Sequence, residues 1–317
     1  NQSLSIKKDS LNNYIANRLS ASGKIGFGVN VYDLLGKELN KNGIYSLEMK
    51  INGIRHYYHD VETFSFSESK FINLLIDYEY YSKYKSRIQK TFREKENKLS
   101  IYKDLIVDGG ISINDGLNYQ VEIIAKDFIG NSSSIKIPVV GLKSESILNQ
   151  ERDTTAYKIV KKEFQKFSKN GVTIAFPKNT FYKDLFLNFS VNDRIATIHK
   201  PIIPLDKKFT ITFDSIMYKK SEVNHIYIAN MNNKKYPYYM DTRKKSDKLF
   251  TTTKTLGKYG LLIDNQIPKI YNSNFKDNDW MSRLRYLTIK ISDSQSGIKS
   301  YEASIDNEWI LMEYDVK

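Results

Sequence analysis

With 317 residues, 40% apolar and 13% aromatic content and only 6 Pro and 15 Gly, the chain reads as two or three globular domains that each bury a core, which excludes a disordered or collagen-like polymer. The absence of cysteine excludes a disulfide framework, thiolate zinc ligands and a cysteine nucleophile, and no run reaches the ~18–20 apolar residues of a membrane-spanning helix. The net charge of +13 is local. Lys plus Arg against Asp plus Glu is 3 against 1 in residues 1–20, 16 against 15 in 21–142, 23 against 12 in 143–265 and 7 against 8 in 266–317, so the excess sits in the middle of the chain.

Residues 1–20 are polar, carry one short candidate strand (LSI) and read as a linker or the edge of a preceding domain. Any secretion signal would have to lie upstream of this segment, because NQSLSIKKDS has no apolar signal core.

From Gly26 the pattern becomes β: GFGVNVYD and GIYSLEMKINGIRHYYHD alternate apolar and polar residues, and Asn52-Gly53 is a two-residue hairpin signal. FSFSESKFINLLIDYEYYSKYKSRIQKTF places Phe71, Leu74, Leu75 and Tyr78 on one helical face, which predicts a short helix or two over one end of a sandwich. Downstream, Asp115-Gly116 predicts a second hairpin turn. Ala125-Lys126-Asp127 followed by Gly130-Asn131 predicts a tight corner in which Asp accepts backbone N–H groups and Gly-Asn tolerates positive φ. This first module runs over 21–142.

The segment 143–265 opens with a connector, and the stretch AYKIVKKEFQKFSKNG then fits either a helix or an edge strand, since Tyr157, Val160, Phe164 and Phe167 suit both. Short β-patterned runs follow at intervals of about ten residues, the rhythm of a β-sandwich. Their turns carry paired bases: Lys207-Lys208, Lys219-Lys220, Lys234-Lys235 and Arg243-Lys244-Lys245. These nine are the candidate contacts to an anionic polymer, such as an envelope glycan or a headgroup layer. Tyr236, Tyr238 and Tyr239 stand among them, yet no nucleic-acid signature is present, so nucleic acid is not an expected partner.

In 266–317 the opening β pattern returns. GIKSYEASIDN (Gly297 to Asn307) aligns without gaps on GIYSLEMKING (Gly43 to Gly53), and IKISD upstream corresponds to VNVYD. A unit repeated about 250 residues apart indicates two copies of one domain type. The second copy stops before the counterparts of the closing strands, which predicts an incomplete sandwich with continuation beyond residue 317. Trp309 lies in an apolar strand and is expected in its core; Trp280 could stack on sugars.

Chemistry is sparse. The histidines are His56, His59, His199 and His225, and His56 with Asp60 forms an H-x-x-x-D string that could begin a zinc site. On a strand, however, His59 points away from that pair, and no H-x-H or H-E-x-x-H completes a ligand set, so a structural role is expected. The carboxylates Asp60 and Glu62 read as solvated turn residues, and Asp33, Asp127 and Asp293 as turn caps rather than calcium ligands. No nucleophile elbow, Walker loop or dinucleotide fingerprint occurs. Catalytic, cofactor-binding and metal residues are accordingly none.

The ordered set GKIGFGVNVYD, NGIYSLEMKING, FSFSESKFINLLIDYE, RIQKTF, NKLSIY and AKDFIGN resembles the C-terminal accessory region of lysostaphin-type zinc endopeptidases of Gram-negative envelopes. GVTIAFPKNTFYKDLFLNF, TLGKYGLLIDNQIPKI and SGIKSYEASIDNEWILMEYD are similar to the segments that follow there. The resemblance implies an all-β chain of tandem immunoglobulin-like sandwiches, periplasmic or outer-membrane-associated. It implies a role in positioning a peptidoglycan-cleaving enzyme or docking it to cell-wall polymer or an envelope complex. Zinc is expected only in an upstream peptidase domain, because the H-x-H of that domain is missing here. The rival reading is a glycan- or anionic-polymer-binding, adhesin-like surface module.

Overall fold

A computed structural model describes residues 2–9, 13–34, 41–143, 154–214 and 225–315. The chain is all-β, built as sandwiches in series with four short helical elements in the first. The expected fold class holds. Lys219 and Lys220 lie outside the described residues.

The first module centres on a sheet in the order Ile6–Lys8, Tyr14–Ala16, Ser132–Gly141, Asn118–Lys126, Ser46–Ile51, Ile54–Asp60, Tyr102–Leu105, with Leu19–Ala21 also beside Ser132–Gly141. Three short pairs, Gly23–Ile25 with Ile111–Ile113, Gly28–Val29 with Gln89–Lys90 and Asp33–Leu34 with Lys41–Asn42, complete the module. Alternate residues of the central strands (Leu47, Met49, Val121, Ile123) are buried with Phe27 and Ile111, as a period of two dictates for a half-buried sheet. Asn52 and Gly53 both take positive φ, 50° and 82°, the geometry of a two-residue hairpin whose twist matches its strands. The corner at Asp127 also forms: its carboxylate accepts from the Asn131 backbone N–H at 2.8 Å and from the Asn131 side-chain amide at 2.7 Å.

Two expectations change here. Residues 6–8, 14–16 and 19–21 are strands of the main sheet, with Ala16 buried, rather than a linker. The last two pair in parallel with Ser132–Gly141, a register that no local pattern announces. Asp115-Gly116 is a turn but makes no hairpin: Ile111–Ile113 pairs with Gly23–Ile25, while Asn118–Lys126 belongs to the main sheet, so the turn carries the chain between sheets.

The second module is a sandwich of two five-stranded sheets. One runs Gln165–Lys169, Val172–Phe176, Phe209–Asp214, Lys248–Thr253, Arg243–Lys245; the other runs Phe189–Asn192, Ile195–Ile198, Gly257–Ile263, Ile226–Asn230, Tyr238–Tyr239. Inward residues of both, among them Ile174, Phe176, Phe209, Ile211, Ile198 and Tyr259, form one core. The stretch left open between helix and strand is two strands, Tyr157–Ile159 and Gln165–Lys169. Asn170 and Gly171, both at positive φ, turn the latter into Val172–Phe176, and this pairing decides for strand.

Residues 266–315 hold two small antiparallel pairs, Lys269–Tyr271 with Lys290–Ser292 and Ala303–Ile305 with Glu308–Ile310. Asp306 and Asn307 repeat the left-handed turn of the first copy, at φ 51° and 67°. Trp309 is not core: it is 68% exposed. Its alternating strand has the pattern of a buried one, but among the described residues no second layer faces it.

Candidate functional site

Among the described residues, the expected polymer contacts do not form one surface. Lys208 directly precedes Phe209, which pairs with Thr253 at one end of the sheet, whereas Lys245 pairs with Lys248 at the other end. Lys234 and Lys235 follow Ile226–Asn230 at the end where Asn232 bonds to Leu256 and Lys258, so they share the Lys207-Lys208 end of the sandwich. The Lys207 ammonium donates to the Lys178 carbonyl at 2.9 Å, and partial desolvation lowers the affinity of Lys244 for its proton. Arg243, Lys244 and Lys245 form an exposed edge strand, where charge discourages edge-to-edge pairing.

The histidine nearest the His56–Asp60 pair, His59, packs into the first module. His59 is buried and shares a 2.8 Å hydrogen bond through Nδ1 with the Tyr57 hydroxyl, with Tyr102 edge-on beside both rings. Burial pushes its pKa down to about 4, against a smaller opposing pull from Asp60, so the imidazole is neutral in the folded protein at pH 7. His56 is likewise lowered by burial. Among the described residues no three His, Cys, Asp or Glu side chains gather as metal ligands. Asp293 caps a turn, accepting from the Gln295 and Gly297 N–H groups, and Glu62 accepts from the Tyr45 hydroxyl.

The built site is the junction between the first two modules. The segment whose helical face was legible in the sequence forms a 3-10 turn (Phe66–Phe71) and two short helices (Ile72–Leu75 and Tyr78–Tyr84). Ser65 caps the first and Asp77 the last, each side chain accepting a backbone N–H of its element's first turn. Leu74 and Leu75 are buried.

These elements meet the second module's loops around 181–184 and 200–206. Tyr182, 7% exposed, donates its hydroxyl to the Lys70 carbonyl at 2.6 Å and sets its ring 5.9 Å from that of Phe71. Burial raises its pKa. Ser82 donates to the Pro201 carbonyl, and the Lys70 ammonium lies 3.5 Å from the Asp206 carboxylate. Sequence reasoning missed Tyr182 and Ser82, since nothing local marks an aromatic or a serine whose partner lies more than a hundred positions away.

Beside these contacts the two modules enclose a cleft of about 280 Å³. The first module lines it with Leu74, Asp77, Tyr78, Glu79, Glu94 and Glu96, and the second with Tyr182, Lys183, Leu185, Ile202, Ile203 and Pro204. Asp77 is engaged as a helix cap, and Glu94 is paired with Lys90, another wall residue.

Residues 156–264 match the family model of the Zu5-like domain. The match covers the second sandwich, and it fits a small accessory, adhesin-like domain. No curated protein and no solved structure matches the chain.

Proposed function

We propose that this chain is the non-catalytic scaffolding and targeting region of a cell-envelope peptidoglycan endopeptidase, or a docking subunit derived from one. The observation that carries the reading is the junction. A tyrosine hydroxyl buried against a carbonyl of the neighbouring module, with a serine hydrogen bond and an ion pair around it, holds the two sandwiches at one spacing. Modules joined only by a linker would move relative to each other. A fixed arm suits the delivery of an enzyme to a polymer, and the accessory character of the second sandwich supports the same role. The zinc chemistry then belongs to an H-x-x-x-D and H-x-H domain upstream, in the periplasm or at the outer membrane.

Two tests bear on it. The gene upstream of the Asn1 codon should encode that domain; an adhesin stalk there would overturn the reading. In the complete product, Tyr182→Ala should slow hydrolysis of intact cell wall several-fold while leaving a short soluble cross-linked peptide unaffected. Equal effects on both substrates would overturn the positioning role.

The alternative, a glycan- or anionic-polymer-binding module, draws on the gathering of Lys207, Lys208, Lys234 and Lys235 at one end of the sandwich. Under that reading, retention on purified cell wall falls when these four become Ala and less when Arg243, Lys244 and Lys245 do. Unchanged retention in both variants would remove it.

A further inference from the structure

The cleft at the junction is acidic on a basic molecule. The chain carries a net charge of +13, yet four carboxylates (Asp77, Glu79, Glu94, Glu96) and two ammonium groups (Lys90, Lys183) line this cavity. Asp77 is committed to the helix N-terminus and Glu94 to Lys90. Glu79 and Glu96 make no ion pair within 4.0 Å among the described residues; Glu79 and Lys183 are both exposed and Glu96 is half-buried, two carboxylates against one ammonium. The remaining charge in the cleft is negative.

Its walls are apolar and aromatic. Leu74, Leu185, Ile203 and Pro204 offer a surface for an aliphatic stem, and the rings of Tyr78 and Tyr182 border the same space. Burial raises the pKa of both phenols, with Tyr81 adding to the shift at Tyr78 and Asp206 at Tyr182, so they stay neutral, and an aromatic face attracts a cation. The Tyr182 ring is immobilised by its hydrogen bond to Lys70, which leaves less side-chain freedom to lose on binding. Cavities between domains, apolar with a few convergent polar groups, are the usual form of small-molecule sites.

From this combination we infer that the junction cleft binds a primary amine on an aliphatic stem, with the ammonium between Glu79 and Glu96 and the stem against Leu185, Ile203 and Pro204. The inference stands on the junction geometry and goes beyond the scaffolding role; either can fail without the other. A free diamine and the side chain of a basic residue in a peptide share this chemistry.

The test is a calorimetric titration of the full chain with three probes: 1,5-diaminopentane, Nα-acetyl-lysine methylamide and glutarate. Saturable binding of either amine is expected, with none of the dianion. The tighter of the two amines identifies the source, free or peptide-borne. Glu79→Gln with Glu96→Gln should weaken amine binding several-fold, as expected for charge-assisted contacts to one exposed and one half-buried carboxylate. Lys183→Ala should leave it unchanged or tighter. Neither glutamate packs in a core, so the melting temperature of the double variant should stay close to that of the parent chain. No saturable amine binding by the folded parent chain, equal binding of glutarate, or undiminished amine binding in the double glutamine variant would each overturn the inference.

Discussion

In the first copy of the repeat, Ser46–Ile51 lies between Ile54–Asp60 and Asn118–Lys126, and Leu47, Met49 and Ile51 are buried. In the second copy, Ala303–Ile305 pairs with Glu308–Ile310 and, among the described residues, with no other strand; Tyr301 and Ile305 are exposed. The two turns are nevertheless alike, both with two successive residues at positive φ. The shared glutamate shows the same split. Glu48 is buried and accepts from Arg55 at 2.6 Å, whereas the aligned Glu302 is exposed and Trp309 stands where Arg55 would be. A hairpin is thus specified locally, while the energetic weight of its residues is set by what is stacked on them.

The largest expected contrast is between the aligned isoleucines. Ile51 is 5% and Ile305 53% exposed. Ile51→Ala should cost about 3–4 kcal/mol through lost burial and a cavity, and Ile305→Ala less than about 0.5 kcal/mol. Denaturant unfolding measures both, and equal effects would break the comparison.

Next comes pH through histidine, an effect confined to the first copy because residues 266–317 contain none. His59 has a folded pKa of about 4, against about 6.5 in an unfolded chain. Between those values the unfolded chain binds the proton and the folded one does not. The stability contributed by the neutral buried ring is therefore complete above about pH 6.5 and lost as pH falls toward 4, roughly 3 kcal/mol in all. Urea midpoints from pH 7 to 4 should fall more steeply for the parent chain than for His59→Gln; parallel curves would contradict this assignment.

The smallest effects belong to the turns. Gly53→Ala places a Cβ at φ 82° and should cost about 1 kcal/mol. Asn307→Gly, at φ 67° in the second copy, should leave stability unchanged or raise it by less than about 1 kcal/mol. The sign of the Asn307→Gly effect, read from thermal unfolding, shows whether that turn is under the same constraint.

Much of the fold was legible because alternation and turn residues act over a few positions. The hairpin at Asn52-Gly53, the Asp127 corner, the helices around Leu74 and Tyr78 and the strand rhythm of the second module all follow from such patterns. The misses share one cause. The parallel strands near the start, the inter-sheet turn at Asp115-Gly116 and the exposed Trp309 depend on partners far away in sequence. So does the candidate site, where Glu79 and Glu96 meet Lys183 and Tyr182 only after two modules dock. Paired bases were conspicuous in the sequence, but the sandwich distributes them to opposite ends.

By itself the sequence determined the all-β class, the repeat and the conformation of its two turns, because a residue's φ preference and the period of a strand are local properties of the chain. Only the tertiary structure decided that one copy of the repeat is core and the other surface, and that a helical segment of one sandwich and two loops of the next enclose an acidic, aromatic cleft. Burial and charge balance are properties of neighbours, and neighbours are chosen by packing.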